Sequence, residues 1–216
     1  MEEEVNPVAW NYTVCIEDRV EDQVKVVDGV KHFQNRPIIC RDSPIDGGVY
    51  LGPTAGEAIV VDSEKYPAIN NLYKIAKMKA TEDGKINKHK VLQAVFGTVK
   101  DTIPYNENGV NALLDDIVTG DDVKISLDVF INSKAGVCRH QALACGALLE
   151  KFKKEGHVKG TPSIDRNAIY HGGHAWCRYT NSVGDVFILD VAQNYLGRLT
   201  DAPKDKRWPY ERPDKD

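Results

Sequence analysis

Three features of the chain predict an α+β fold. Short strand-like runs broken by glycines fill residues 1–62, helical periodicity replaces them from about residue 66, and a helix within 133–152 precedes two more strand-like runs. The order predicts a central helix packed on an antiparallel sheet. Further helices lie between about 66 and 118, and the 216 residues suffice for a well-buried core.

At the N-terminal side, Val24–Val27 and Val30–Phe33 flank Asp28-Gly29, a dipeptide suited to a tight hairpin because both positions tolerate positive φ. Gly47-Gly48 and Gly52-Pro53 punctuate the stretch before a short apolar strand, Ala58–Val61. The period then becomes helical: Ile69, Leu72, Ile75, Ala76 and Ala80 repeat on a three-to-four spacing until Asp83-Gly84. A second helix is predicted over Lys88–Val99 and a third around Val110–Val118. Ile125–Phe130 suits a short helix started by Ser126 with Asp128. Ser133–Phe152 reads as a helix closed by Lys153-Lys154-Glu155-Gly156, with cations in its last turn and glycine after it. Residues 157–173 read as a loop, and Ala175–Thr180 and Val186–Val191 as a hairpin joined by 181–185.

Charge and composition narrow the function classes. Lys plus Arg number 28 against 32 acidic residues, a net charge of −4, and the one dense charge run, Lys204-Asp205-Lys206-Arg207, is mixed, so nucleic acid is a poor partner. No stretch approaches the roughly 20 apolar residues of a membrane helix, and Met1-Glu2-Glu3-Glu4 has the wrong charge for a signal peptide. A soluble, cytoplasmic protein with no membrane partner is expected, its five irregularly spaced cysteines all thiols.

One constellation carries chemistry. Gly136-Val137-Cys138 puts a thiol at the start of a helix, where unpaired N–H groups and a partial positive charge stabilise a thiolate and offer donors to an oxyanion. Cys138 continues the stripe Ala142, Cys145, Leu149 and Phe152, so the thiol faces what the helix packs against, and Cys145 reads as core filling. Further on, His174 opens one strand of the hairpin and Asp190 ends the other. A three-residue loop pairs Thr180 with Gly184 and sets His174 opposite Asp190; a five-residue loop makes them diagonal neighbours, still within reach. Cys138, His174 and Asp190 thus combine a nucleophile, a base and a carboxylate that fixes the imidazole tautomer.

These segments resemble the transglutaminase-like superfamily, whose papain-type core sets a cysteine-bearing helix against an antiparallel sheet. The resemblance rests on Gly136-Val137-Cys138, His174-Ala175-Trp176 and Leu189-Asp190, with Ile103-Pro104-Tyr105 similar to the stretch that often precedes the catalytic helix. Cys138-Arg139-His140 is also similar to the papain-like domain ahead of certain plant Raf-like kinases. The match covers about residues 95–195 and departs after Asp190, where Val191-Ala192 stands in place of Pro and Thr. It implies a catalytic domain over 63–200; residues 1–62, which the match does not cover, read as a β-rich extension, and 201–216 as a charged, proline-containing tail, loosely ordered or wrapped on the surface.

Around the triad, Trp176, Arg139 and His171 are the candidate substrate-binding residues, against packing for Trp176, a structural hydrogen bond or solvent exposure for Arg139 and His140, and a loop position for His171. The side-chain oxyanion donor stays open among Tyr105, Asn132, Gln193 and Asn194. A zinc site competes for the same residues, but Cys138 and His140 are about 200° apart on a helix and His174 and Cys177 face opposite ways on a strand. No metal or cofactor is expected. The expected activity is thiol-dependent hydrolysis of a protein or peptide amide, as in a cysteine protease or amidohydrolase; a glutamine transglutaminase or deamidase, or an inactive binding module, are the alternatives.

Overall fold

The structure, a computed structural model, describes residues 21–52, 57–117, 123–169, 172–203 and 210–212. The first 20 residues, His171 and the 204–207 charge run, on which parts of the reading above fall, lie outside them. In chain order the elements are β1 (Val24–Val27), β2 (Val30–Phe33), β3 (Arg36–Pro37), β4 (Val49–Leu51), β5 (Ala58–Val60), α1 (Ala68–Ala80), β6 (Thr81–Glu82), β7 (Lys85–Ile86), α2 (Val91–Thr102), α3 (Glu107–Ile117), β8 (Lys124–Ser126), α4 (Leu127–Asn132), α5 (Cys138–Lys154), β9 (Thr161–Ile169), β10 (Gly172–Thr180), β11 (Val186–Asp190) and β12 (Tyr195–Arg198). The chain is a mixed α+β protein with several small sheets.

Local chemistry explains most boundaries. Asp28 and Gly29, at φ 50° and 77°, close the β1–β2 hairpin between Val27 and Val30. Ser126 ends β8 and accepts the Asp128 N–H at 3.2 Å, so 125–130 is a strand end followed by a helix cap rather than helix alone. The helix within 133–152 starts at Cys138, as expected: Lys134 has φ 50°, and Gly136 forms a parallel bridge with Tyr105. A side chain at Gly136 would collide with Ile103, so glycine lets the strand-like lead-in press against the end of α2.

The core is built around α5, which is buried on every side from His140 to Leu149. Leu143, Leu148, Leu149 and Phe152 are fully inaccessible, each contributing about 1.5–3 kcal/mol of apolar burial. Helices α1, α2 and α4 pack on one side of α5 and the sheet β12-β11-β10-β9 on the other. Ala175, Cys177, Tyr179 and Leu189 form the sheet face in this core. Ile39, Ile45, Tyr50, Ile59 and Val61, from the N-terminal stretch, join the same core, and β5 runs parallel to β8.

One region departs from the sequence reading. Residues 161–169, expected as loop, form β9, a nine-residue edge strand paired along its length with β10. Its polar residues suggested a loop, but Ser163 and Asp165 are buried and engaged by Arg212, while Pro162 is tolerated because the strand lies at the edge. Of the two alternatives for the tail, its described residues take the wrapped one: Tyr210 and Arg212 are 1% and 3% exposed and cover the sheet face opposite α5.

Candidate active site

Cys138 is the first residue of α5, and the first turn of that helix is held from the side. His140 accepts the Val137 N–H at Nδ1 (3.1 Å), doing at the third helical position what Glu or Gln does in a capping box. Its Nε2–H donates to Glu57 Oε1 at 2.9 Å, and Glu57 Oε2 accepts from Arg139 Nε at 2.5 Å. Both His140 nitrogens are therefore used by the neutral ring, and burial drives its pKa down against the pull of Glu57. Glu57 is raised by burial, but its bonds to His140 and Arg139 outweigh this and its carboxyl stays below the usual range.

The hairpin takes the five-residue loop. Thr180 pairs with Val186 and Cys177 with Leu189, so His174 and Asp190 are diagonal neighbours on one face. His174 Nε2 lies 2.6 Å from Asp190 Oδ2. The other ring nitrogen is left for Cys138, to which the imidazole is hydrogen-bonded, and the Ala175 N–H also donates to the sulfur.

Electrostatics follow this geometry. Burial pushes the Cys138 thiol up, but the His174 hydrogen bond and charge, the Ala175 N–H and the Arg139 charge bring it below the ordinary value. Burial pulls His174 down, yet its bonds to Asp190 and Cys138 and their charges raise it to about 9. Both shifts favour thiolate and imidazolium at neutral pH. The Asp190 carboxylate is held in turn, Oδ1 by the Gln193 N–H at 3.0 Å and Oδ2 by the Tyr210 hydroxyl at 2.9 Å. Comparison with known proteins finds no matching family model, curated protein or solved structure.

The remaining site expectations separate. Trp176 is fully buried, 5.9 Å from the His174 ring and edge-on to Tyr210, so it packs behind the triad instead of meeting substrate; its sheet face is the one residues 210–212 cover. Arg139 keeps partial exposure (19%) beside Cys138 while paired to Glu57. Of the oxyanion candidates, Asn194 is drawn to Lys100 at 2.7 Å, Asn132 is exposed at the end of α4, and the Gln193 backbone serves Asp190. Tyr105 is the one whose hydroxyl senses the thiolate, its pKa raised by burial and then by the Cys138 charge. The Cys138 N–H finds no acceptor among the described residues and is open to an oxyanion.

Cys145 and Cys177 are buried free thiols, both pushed up by burial. Cys40 is not a thiol: it is disulfide-bonded, its partner lying outside the described residues, which corrects the expectation of five thiols. A disulfide belongs to oxidising compartments, so the cytoplasmic expectation loses one of its supports. No helix among the described residues is long and apolar enough to cross a membrane. Among those residues no three His, Cys, Asp or Glu side chains gather as a metal site.

Sequence reasoning missed Glu57 and Tyr210. Glu57 left no signal, since its partners are 82 and 83 residues away. Tyr210 left one: the run Trp208-Pro209-Tyr210 is aromatic within an otherwise charged tail.

Proposed function

We propose that the protein is a thiol-dependent amide hydrolase of transglutaminase-like, papain-type architecture, acting on protein or peptide substrates. The observation that carries the reading is the chain of contacts from Cys138 through His174 to Asp190, with the cysteine lowered and the histidine raised. The Cys138 thiolate attacks the amide carbonyl carbon, and the Cys138 N–H receives the oxyanion. His174 gives its proton from the ring nitrogen facing the sulfur to the leaving amine, which departs as a thioester forms. Water attacks the thioester and returns a proton to His174, releasing the acid and restoring the thiolate–imidazolium pair. Asp190 keeps the tautomer and stabilises the imidazolium throughout.

Mass spectrometry of candidate substrate proteins treated with the wild type and with Cys138→Ala tests this. New fragment termini present only with the wild type are expected. A one-dalton gain at glutamine would replace peptide-bond cleavage with side-chain deamidation, and joined chains or identical spectra would overturn hydrolysis in favour of crosslinking or a non-catalytic role.

A further inference from the structure

We propose that Tyr210 is a positioning residue of the triad, fixing the Asp190 carboxylate that orients His174. The proposal rests on the catalytic reading of Cys138, His174 and Asp190. The Tyr210 hydroxyl donates to Asp190 Oδ2 at 2.9 Å, the same oxygen that lies 2.6 Å from His174 Nε2. With the Gln193 N–H on Oδ1 at 3.0 Å, the carboxylate has three partners on two oxygens and one orientation that serves them all.

The phenol is held too firmly for a tail side chain that merely covers a sheet. Its ring stacks on Tyr195 at 5.6 Å and meets Trp176 edge-on at 5.2 Å. Arg178 Nη1 reaches the Tyr210 carbonyl at 3.5 Å. Two residues on, Arg212 anchors the segment, with Nε on Asp165 at 2.8 Å and Nη1 on Asp42 at 3.0 Å. Asp165 pairs across β9–β10 with Trp176, so the anchor and the hydroxyl act on one face of the sheet. A ring that only filled space would need the stacking but not the hydroxyl, and that difference makes the role testable.

Tyr210→Phe keeps the ring and removes the hydroxyl. The test is the pH profile of Cys138 alkylation by iodoacetamide, resolved by mass spectrometry, in wild type, Tyr210→Phe and His174→Ala, with the melting temperature of each. The expected result is a cooperative melt lowered only modestly by the lost hydrogen bond, labelling about tenfold slower near neutral pH, and a lower limb displaced to higher pH in Tyr210→Phe. A Tyr210→Phe profile superimposable on wild type, while His174→Ala is slowed, overturns the role of Tyr210 alone. Wild-type labelling in His174→Ala overturns the triad and the role of Tyr210 with it. Loss of cooperative melting in Tyr210→Phe would make the hydroxyl a determinant of the fold and overturn the assignment too.

Discussion

Among the described residues burial opposes a charged thiol at the free cysteines Cys138, Cys145 and Cys177, yet of these only Cys138 falls below its ordinary pKa. The difference lies in its neighbours: Cys145 and Cys177 have none that stabilises a thiolate, whereas Cys138 has an imidazolium and a backbone donor. This much was readable from residue types, because a cysteine after glycine at a helix start and a histidine and aspartate on paired strands meet in either hairpin register. The place of Trp176 was not readable, since alternation assigns a face but not what covers it. His174, raised from 6.5 to about 9, favours the fold most below its unfolded value, and that contribution is lost as pH rises through about 9. Asp190→Asn removes the carboxylate that raises it. An NMR titration of His174 is therefore expected to move its midpoint down in that variant; an unmoved midpoint would mean that Asp190 does not act on the ring.

At the scale of elements, α5 owes the position of its first turn to partners distant in sequence. His140 bridges the Val137 N–H and the Glu57 carboxylate while fully buried, and Gly136 admits Ile103. The start of the helix was predictable from glycine and the apolar stripe; its lock was not, because periodicity is silent about a glutamate far upstream. His140→Ala is expected to destabilise the chain by about 1–3 kcal/mol, leaving Glu57 and the Val137 N–H each with one partner fewer, as measured by denaturant unfolding. Native His140 resists the proton that the unfolded chain takes below 6.5, and Glu57 resists one below 4.5, so both weaken the fold as pH falls. The variant should lose the His140 part of that dependence; an unchanged stability would show that the buried network does not hold the turn. For the same reason β9 escaped the sequence reading: its buried Ser163 and Asp165 look like loop residues until Arg212 is beside them.

The whole molecule brings the N-terminal stretch, the middle helices, the hairpin and the tail to one centre. Glu57 braces the helix that carries the nucleophile, Tyr210 touches the carboxylate of the triad, and Asp42 and Asp165 hold Arg212 two residues beyond it. Element order and the α+β class followed from periodicity, which is local; the closing contacts are long-range pairs between polar residues that look solvated when read singly. The disulfide at Cys40 belongs to this scale as well, and the free thiols of the described residues stand in sharply different surroundings. Site-resolved alkylation of the folded, unreduced protein by iodoacetamide therefore tests the central claim most directly. Cys138 is expected to be labelled first and to stay reactive near pH 7, because its thiol lies below the ordinary value. Cys145 and Cys177 should react only on unfolding, and Cys40 only after reduction. Equal, slow labelling of Cys138, Cys145 and Cys177 would contradict it.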